Sequence, residues 1–503
     1  MAGLLPALVA VSQKAAEVAR RCRAEEPLFR LLVAEKSGPE RSARFERDFK
    51  TLADVLIQEL IKHDLGTQFP ELRGHIHGEE SSEFRDAHGG MVTVRVGATP
   101  EDTVALLVAV LGPEHTRAAE LLAEAVHQEV TLGDTELDGI DPGLSPGELG
   151  IWIDPIDSTN EFIGGREDVA AVDGVAPGGL RSALVLVGAF DRRSGVPVLG
   201  VINEPFFQRD PQSHRWQGRY HWGVAHGATR LCSLSPPVPR ARPRVVLSRA
   251  ESAAVRGALA SLGGGPPLFA AGAGYKLLCV ALGLADAFVL SQATTFAWDS
   301  CAPHAVLRAL GGGVVALAGA LRAGGGTGDP PELRYHRPGA GGSGPERWAN
   351  REGLVAFVHP PVLRAVLGAL GALGDGGGER DRERVGNGPG TTGNGTGTRT
   401  GTTGTGGEMA PGPGGSEGET APGPAGVGGS VTRDHREPEG EQPRERGRGR
   451  TAPGTPGAPG AGHEAEPEPG PGLGRERYRE HREHRERYRD HRAGLERYRS
   501  RYR

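Results

Sequence analysis

The feature that most limits what this chain can fold into is a change of composition near residue 375. Before it, apolar residues recur at helix and strand spacings; after it Gly, Thr, Pro, Glu and Arg dominate and large apolar residues almost vanish. A segment of the second kind cannot bury enough apolar surface to offset the entropy lost on ordering. We therefore predict a globular part of about 374 residues, one large or two medium domains, followed by a disordered tail over 375–503.

A Pro-rich connector at 236–243 predicts a boundary near residue 240 of the globular part. Ahead of it we predict an α+β subdomain over 1–240 that carries most of the candidate metal ligands. Its predicted elements are helices over 4–35, 51–63 and 100–128, a strand over 150–153, and a hairpin over 182–202. Behind the connector, strands and helices alternate, which favours an α/β subdomain over 241–374 that completes the site.

The stretch Gly150-Ile-Trp-Ile-Asp-Pro-Ile-Asp-Ser-Thr159 places two carboxylates three residues apart, directly after an apolar strand. Proline fixes its own φ near −65° and has no N–H, which favours a rigid turn that aims Asp154, Asp157 and the Ile156 carbonyl the same way. Mg²⁺ prefers oxygen ligands, and a carboxylate bridging two ions is the two-metal arrangement for phosphoryl displacement. The pattern predicts a Mg²⁺ site with Asp154 as the bridge, in preference to a surface turn with two solvated acids.

Three further acidic positions are weaker candidates when taken alone. Glu79 and Glu80 follow a predicted strand and are typical of a polar loop, but beside the aspartate pair we predict that Glu79 ligates metal and orients the attacking water together with the Thr159 hydroxyl. Asp299 lies between Trp298 and a helix predicted from residue 300 or 301, so it is either a ligand or an N-cap. Asp54, on a largely apolar helix, is either functional or an ordinary exposed acid.

Two segments are candidates for binding phosphate. Ser158 and Thr159 begin a predicted helix, and the free N–H groups at a helix N-terminus suit an anion. The Gly-rich run 271–276 also precedes a predicted helix and ends in Lys276, but it lacks the Gly-Lys-Ser/Thr ending of a P-loop. A structural Gly-rich turn is the alternative for this second segment.

These motifs resemble those of the lithium-sensitive, Mg²⁺-dependent phosphatase superfamily of inositol monophosphatase, fructose-1,6-bisphosphatase and 3′,5′-bisphosphate nucleotidase. The shared motif is Asp-Pro-(Ile/Leu)-Asp-(Gly/Ser)-(Thr/Ser) followed later by Trp-Asp, found here at 154–159 and 298–299. The resemblance covers nearly all of 1–374 and is strongest to the inositol polyphosphate 1-phosphatases. It rests on segments 52–56, 76–81, 200–206, 271–276, 298–305 and 347–350, and on the long interval between Glu80 and Asp154.

The resemblance implies an α/β (α+β) fold, a layered αβαβα sandwich, with two or three Mg²⁺ ions and inhibition by Li⁺. It implies that Glu79, Asp154 and the Ile156 carbonyl hold one ion, that Asp154, Asp157 and Asp299 hold a second, and that Glu80 and Asp54 lie nearby, with Asp54 linked to lithium sensitivity. The implied reaction removes the 1-phosphate from inositol 1,4-bisphosphate and inositol 1,3,4-trisphosphate. The implied substrate contacts are Asp157, Ser158, Thr159, Gly272, Ala273, Lys276 and Thr294.

One departure from the family pattern leaves the substrate open. The family has a serine and a lysine, two residues apart, that grip substrate phosphate after the connector, and Ala250 and Ser252 occupy those positions here. Arg249 and Arg256 are the alternatives that could take the place of this lysine, although arginine and lysine are not equivalent. A nucleotide 3′,5′-bisphosphate is therefore the alternative substrate.

The tail suggests a function of a different class. Residues 475–503 contain 12 arginines against six acidic residues, so binding of RNA or an acidic partner through Arg and Tyr side chains is an alternative to a tail without chemistry. The net charge of the chain is −5, which argues against general polyanion binding. For the core we expect a small-molecule inositol polyphosphate as partner, no nucleic acid, and a monomer.

Cysteine usage and hydropathy predict where the chain works. The four cysteines show neither a zinc-binding spacing nor a paired framework, which favours reduced thiols. The apolar run 3–11 lacks the basic flank of a signal peptide, and no apolar run reaches the ~20 residues that span a bilayer. We therefore expect a cytoplasmic protein without a membrane partner.

Overall fold

The computed structural model describes residues 3–24, 33–36, 40–42, 44, 48–86, 88–133, 137–140, 142–323, 330–339 and 343–375. The predictions for the tail and for residues 25–32 lie outside these ranges. In the part of the chain that is described, none of the helices combines the length and the apolar character needed to cross a bilayer.

The first of two central sheets lies before the connector. Its strands, in spatial order, are β10 (Thr229–Cys232), β9 (Trp216–His226), β8 (Pro197–Arg209), β7 (Leu184–Asp191), β6 (Leu149–Asp157) and β3 (Ile76–Gly78). Neighbouring strands are antiparallel except β3, which runs parallel to β6. The hairpin predicted over 182–202 is formed by β7 and β8.

The second sheet lies after the connector and mixes parallel and antiparallel pairs. Its spatial order is β12 (Leu268–Phe269), β11 (Val245–Leu247), β13 (Ala287–Leu290), β15 (Leu354–Phe357) and β14 (Gly313–Ala316). Two small hairpin-like pairs complete the strands: β1 (Val33–Glu35) with β2 (Phe49–Thr51), and β4 (Glu83–Arg85) with β5 (Met91–Thr93).

Helices cover both faces of each sheet. They are α1 (Leu4–Ala24), α2 (Leu52–Gln68), α3 (Pro100–Leu111), α4 (Thr116–His127), α5 (Thr159–Gly164), α6 (Ala253–Ala260), α7 (Ala273–Ala281), α8 (Ala297–Ala309), α9 (Leu317–Arg322) and α10 (Pro360–Asp375). α1 and α2 pack on the outer face of the first sheet, α7 and α8 lie between the sheets, and α6, α9 and α10 pack on the far face of the second. The predicted αβαβα sandwich is confirmed.

Strand residues point alternately to opposite faces, and the cores follow that rule. Val185 and Val187 of β7 belong to the core beneath α1 and α2, whereas Leu184 and Leu186 belong to the core beneath α7 and α8. A strand buried on both sides is apolar at most positions, which explains the apolar runs 151–153, 184–190 and 197–202 in β6, β7 and β8.

Several predicted boundaries are wrong. The helix predicted over 4–35 ends at Ala24, and residues 33–35 form β1. The helix predicted over 100–128 is two helices, because Pro113 begins a 3₁₀ turn between them. The strand predicted to stop at residue 153 continues to Asp157. The boundary near residue 240 stays a prediction.

Candidate active site

Three aspartates from two elements meet between the sheets. Asp154 and Asp157 lie in β6, Asp299 lies in α8, and one carboxylate oxygen from each is within 4.8 Å of the others. The pairing of β6 with β7 shifts register between Asp154 and Asp157. Pro155 lies at this shift and has no N–H to donate to a neighbouring strand. The shift occurs where the two aspartates face the same side of the strand.

Asp157 is held by the start of α7. Its carboxylate accepts hydrogen bonds from the backbone N–H groups of Ala273 and Tyr275, both at 3.2 Å. Gly272 has φ of +74°, and a Cβ there would lie 2.7 Å from Asp157 Oδ2, so glycine is required for this approach. Burial raises the pKa of Asp157 to about 6, although Lys276 and the backbone donors oppose the shift.

Asp154 has fewer partners than its neighbour. It is 1% exposed, and its buried Oδ1 has no hydrogen-bond partner. Burial, followed by the charges of Glu79, Asp157 and Asp299, raises the pKa of Asp154 well above its usual range. A buried carboxylate oxygen without a protein donor is costly, so this atom is suited to a cationic ligand.

Asp299 is the third residue of α8, which begins at Ala297 and not at residue 300 or 301 as predicted. Its Oδ2 accepts a hydrogen bond of 2.6 Å from the N–H of Phe296, the residue before the helix. Asp299 is therefore not the N-cap residue, which is Phe296, although its side chain accepts the N–H of that residue. Its other predicted role, as a metal ligand, stays a prediction. Burial and the charges of Asp157 and Glu79 raise its pKa well above its usual range.

A second acidic group lies around Lys36. The buried Lys36 ammonium is 2.8 Å from Glu79, 2.6 Å from Glu80 and 3.6 Å from Asp48. Burial opposes the charged form of Lys36, but these carboxylates raise its pKa well above the usual value. For Glu80, burial is the largest effect and raises the pKa to about 8.

Asp54 lies beside this group and is not the exposed acid that was one of its two predicted readings. It is 1% exposed, and its Oδ2 accepts hydrogen bonds from the N–H and the hydroxyl of Thr51, both at 2.6 Å. Burial and the charge of Glu79 raise its pKa to about 7 against these hydrogen bonds. Its Oδ1 is buried without a partner.

A cleft of about 350 Å³ opens onto the three aspartates. Most of the predicted site residues line it: Glu79, Asp154, Ile156, Asp157, Ser158, Thr159, Gly272, Ala273, Lys276, Thr294 and Asp299. Asp54 and Glu80 are absent from its lining and lie behind Glu79. Thr159 donates its hydroxyl hydrogen to the Ile156 carbonyl at 3.1 Å, which leaves its oxygen lone pairs as acceptors.

Comparison of the chain with known proteins shows which family it belongs to. Residues 97–358 match the model of the inositol monophosphatase family. An inositol polyphosphate 1-phosphatase from Bos taurus is 44% identical over 390 residues, covering 74% of this chain and 97% of that protein. The chain belongs to the inositol monophosphatase family. The predicted resemblance is confirmed, and the chain is a phosphatase.

Two more distant relatives complete the comparison. A 3′(2′),5′-bisphosphate nucleotidase 1 from Homo sapiens is 25% identical over 336 residues, covering 66% of this chain and 86% of that protein. The crystal structure of the extragenic suppressor protein suhB from Bartonella henselae is 14% identical, with a TM-score of 0.40, and covers 73% of this chain and 98% of that chain.

The donor set of this family member fits divalent metal ions. The six predicted acids lie near only two buried ammonium groups, those of Lys36 and Lys276. Ionised carboxylates buried in such excess over cations are unfavourable, so the site is suited to divalent cations that neutralise them. All the donors are carboxylate or carbonyl oxygens, which are the ligands that Mg²⁺ prefers.

Lys276 lies at the floor of the cleft. Its ammonium donates to the carbonyls of Gly272 at 2.6 Å and Ala270 at 3.2 Å. Burial lowers its pKa to about 8, although the charge of Asp157 works in the opposite direction. Among the described residues that line the cleft, it is the only lysine or arginine.

Sequence reasoning missed Lys36, the counterion of Glu79 and Glu80. Lys36 follows the short strand β1 without any motif around it, and a lysine in that setting is more often solvated. Only the buried position reveals its partners. The one signal in the sequence is that acidic residues outnumber basic residues at the predicted site. Such an excess indicates that a further buried cation pairs with them.

Proposed function

We propose that this chain is a Mg²⁺-dependent, lithium-sensitive phosphomonoesterase that removes the 1-phosphate from inositol 1,4-bisphosphate and inositol 1,3,4-trisphosphate. The observation that carries the proposal is the buried cluster of Asp154, Asp157 and Asp299 at the floor of an open cleft. The name of the Bos taurus relative, which is 44% identical, supports this substrate class. A cytoplasmic location and a monomeric state remain predictions.

In this proposal Glu79, Asp154 and the Ile156 carbonyl hold one Mg²⁺, and Asp154, Asp157 and Asp299 hold another. Bound there, the ions supply Lewis-acid stabilisation of the phosphoryl oxygens and of the leaving oxygen. Asp54 and Glu80 lie behind these ligands, and we assign to Asp54 the response to lithium.

The attacking water is oriented by Glu79 and Thr159. The Thr159 hydroxyl hydrogen is already given to the Ile156 carbonyl, so the Thr159 oxygen accepts a hydrogen bond from the water, and Glu79 accepts the other proton. The water oxygen attacks phosphorus, the bond between phosphorus and the inositol oxygen breaks, and that oxygen takes a proton from solvent and leaves as the alcohol. Glu79 returns the proton that it accepted to solvent. Inorganic phosphate is the second product.

The substrate phosphate lies against two helix starts. Ser158, Thr159, Gly272 and Ala273 line the cleft where α5 and α7 begin, and helix N-termini attract anions. Two N–H groups of α7 are engaged by Asp157 and are not free for a phosphate, so the positive charge on this side of the cleft comes from Lys276. Thr294 contributes to the opposite wall.

The test is phosphate release from inositol 1,4-bisphosphate with Mg²⁺, with and without millimolar lithium. A nucleotide 3′,5′-bisphosphate serves as the comparator. We expect lithium-inhibited release with the larger kcat/KM for the inositol substrate. Absence of turnover of either compound would refute the proposal.

A nucleotide 3′,5′-bisphosphate is the second candidate substrate because the family pattern is not kept at one edge of the cleft. We call this edge, formed by Ser248 and the exposed Ala250 and Ser252 after it, the lip of the cleft. Ser248 lines the cleft, whereas Ala250 and Ser252 follow it on the exposed surface. No described side chain of this segment that lines the cleft is cationic, so a second phosphate lacks an evident counterion there. Larger kcat/KM for the nucleotide would move the chain to that substrate class.

The double variant Ala250→Ser/Ser252→Lys separates the two substrates further. It restores the serine and lysine of the family pattern, so KM for inositol 1,4-bisphosphate should fall while KM for an inositol monophosphate stays the same. Ser252 caps α6 by accepting from the Val255 N–H at 3.2 Å, so a loss of about 1 kcal/mol of stability accompanies the change. Ser252→Ala is the matched control for that loss.

A further inference from the structure

Asn350 ties the segment that leads into β15 to the turn that precedes α8. Its backbone N–H donates to the Thr295 carbonyl at 2.8 Å. Its side-chain amide lies 3.1 Å from Thr295 Oγ1, 3.0 Å from the Phe296 carbonyl and 3.2 Å from Ser300 Oγ. The neighbouring Ala349 forms an isolated β-bridge with Phe296. One side chain thus engages both flanks of the helix start.

The turn that Asn350 grips also fixes Asp299. The Phe296 N–H donates to Asp299 Oδ2 at 2.6 Å, so a shift of the turn moves the carboxylate. Ser300 is fully buried and donates its own hydroxyl to the Phe296 carbonyl at 3.0 Å. Thr295 is 3% exposed and lines the cleft. The contacts of Asn350 therefore end on the groups that orient one member of the aspartate cluster.

We propose that Asn350 is a positioning residue for the metal centre, acting through the Thr295–Phe296 turn to place the Asp299 carboxylate beside Asp154 and Asp157. The inference rests on the proposed role of Asp299 as a Mg²⁺ ligand. Mg²⁺ demands nearly ideal octahedral geometry, so a small displacement of one ligand weakens binding. Removing the direct hydrogen-bond partner of a metal ligand typically lowers affinity or activity by roughly 10- to 100-fold. Asn350 acts one step further out, through Phe296, whose N–H is the direct partner of Asp299, so we expect a loss near the lower end of that range.

The test is Mg²⁺ binding to the full chain measured by isothermal titration calorimetry without substrate, in parallel with the Mg²⁺ dependence of kcat. For Asn350→Ala we expect Mg²⁺ affinity to fall about tenfold or more and the half-saturating Mg²⁺ concentration to rise in step. At saturating Mg²⁺, KM for inositol 1,4-bisphosphate should change little. Asn350→Asp keeps the side-chain shape but removes the donor, so it should behave like the alanine variant.

Asn203→Ala is the control, because Asn203 is also an asparagine whose side-chain amide donates two or more hydrogen bonds; Asn203 is fully buried and Asn350 is half-buried. Its amide donates to Ser12 Oγ at 3.2 Å and Gln13 Oε1 at 2.9 Å, on the α1 side of the first sheet. We expect it to lower the unfolding temperature without changing Mg²⁺ affinity. Ser300→Ala removes a single acceptor of Asn350 and should give a smaller shift in the same direction, which keeps the test available if Asn350→Ala does not fold.

The outcomes distinguish this inference from the proposed function. Mg²⁺ binding by the unaltered protein with the same affinity in Asn350→Ala would overturn the inference alone. No Mg²⁺ binding by the unaltered protein would overturn the proposed metal centre, and the inference with it. An affinity loss in Asn203→Ala equal to that in Asn350→Ala would show that general destabilisation is the cause, and would also overturn it.

Discussion

Asp154 and Asp157 lie three residues apart in one strand, yet the protein treats them differently. Asp157 accepts two backbone hydrogen bonds from α7, whereas Asp154 Oδ1 is buried without a donor. Hydrogen bonds to the charged form of a carboxylate stabilise it. Asp157 is therefore held largely by the protein, and Asp154 is the residue whose charge depends most on a bound cation.

Asp154→Asn should separate activity from stability. We expect kcat to fall at least about 100-fold, because the substitution removes the carboxylate that we propose as the bridge between the two ions. Without metal, the unfolding temperature should stay the same or rise, because the amide no longer repels Glu79, Asp157 and Asp299. Phosphate release and thermal unfolding by circular dichroism check the two halves.

The control for this substitution is Asp210→Asn in the surface turn after β8, where the carboxylate accepts N–H groups from Gln212 and Ser213. It should leave kcat unchanged. Substantial remaining activity in Asp154→Asn would rule out the assigned role.

Site residues that belong to one short motif could be predicted from the sequence. Site residues that meet only in the folded structure could not. Asp154, Asp157, Ser158 and Thr159 are nearly contiguous, so the chemistry of the pair was visible in the sequence. Lys36 carries no local signal, and Asn350 ends a segment that carries the family resemblance but does not indicate what its side chain contacts. Asn350 meets its partners across more than 50 positions, and such contacts exist only after the two sheets and α8 have assembled.

A row of three glycines determines how closely α8 approaches the first sheet. Gly188, Gly200 and Gly223 are directly opposed across β7, β8 and β9. A Cβ on Gly188 would lie 2.5 Å from the Ala302 nitrogen, and one on Gly200 would collide with the Ala302 carbonyl. The backbone of the helix that carries Asp299 therefore lies directly on the backbone of the sheet.

Gly200→Ala should push α8 away from the sheet. Overpacking of this kind typically costs about 1–3 kcal/mol, and the upper end applies because the obstructing atoms belong to the backbone and cannot rotate away. Since Asp299 moves with α8, Mg²⁺ affinity should fall together with the free energy of unfolding, which chemical denaturation measures.

Gly257→Ala in α6 is the matched control, because a Cβ there meets nothing within 4 Å. It should preserve Mg²⁺ affinity and slightly raise helix stability. Unchanged unfolding in Gly200→Ala would contradict the proposed backbone contact.

Element existence was easier to predict than element boundaries. The alternation of strands and helices predicted after the connector is confirmed, because most of these elements are short apolar runs between turn residues. The helix α9 (Leu317–Arg322) was not predicted. The start of α8 was misplaced because Phe296, Ala297 and Trp298 lack the Ser, Thr, Asp or Asn that usually marks an N-cap. The Asp299 side chain, inside the helix, instead accepts a hydrogen bond from the backbone N–H of Phe296. In the sequence alone, an aspartate near the start of a helix resembles an N-cap residue.

The buried acids give the whole molecule a defined response to pH when metal is absent. The pKa is raised to about 7 for Asp54, about 8 for Glu80 and about 6 for Asp157, above the ordinary values of 3.8 to 4.5 for the unfolded chain. The folded state then binds more protons than the unfolded state between these limits. Their stabilising contribution is complete below about pH 4 and is lost as pH rises through 6 to 8.

With a chelator present, the unfolding temperature should therefore fall as pH is raised from 5 to 8. The increase produced by saturating Mg²⁺ should be larger at pH 8 than at pH 5, because the ligands must be deprotonated to bind. Differential scanning calorimetry at both pH values measures the two shifts. A Mg²⁺ effect independent of pH would contradict the prediction.

Removing the segment after Asp375 tests the division of the chain into core and tail. α10 ends at this residue, and the predicted site residues lie between Asp54 and Asp299. The truncated chain should keep the kcat/KM of the full chain for inositol 1,4-bisphosphate. If the Arg-rich segment binds RNA, salt-sensitive binding should disappear with it; RNA binding unchanged by truncation would exclude that role for the tail.

The glycine row also bears on how this enzyme can be altered. Where the three glycines meet α8 there is no side chain to shorten or enlarge, so at this contact the distance between the helix and the sheet cannot be adjusted in small steps. The exposed segment around Ala250 and Ser252 has no such constraint. Directed evolution of this chain should therefore change substrate preference through the lip of the cleft, while the metal-facing half stays as it is.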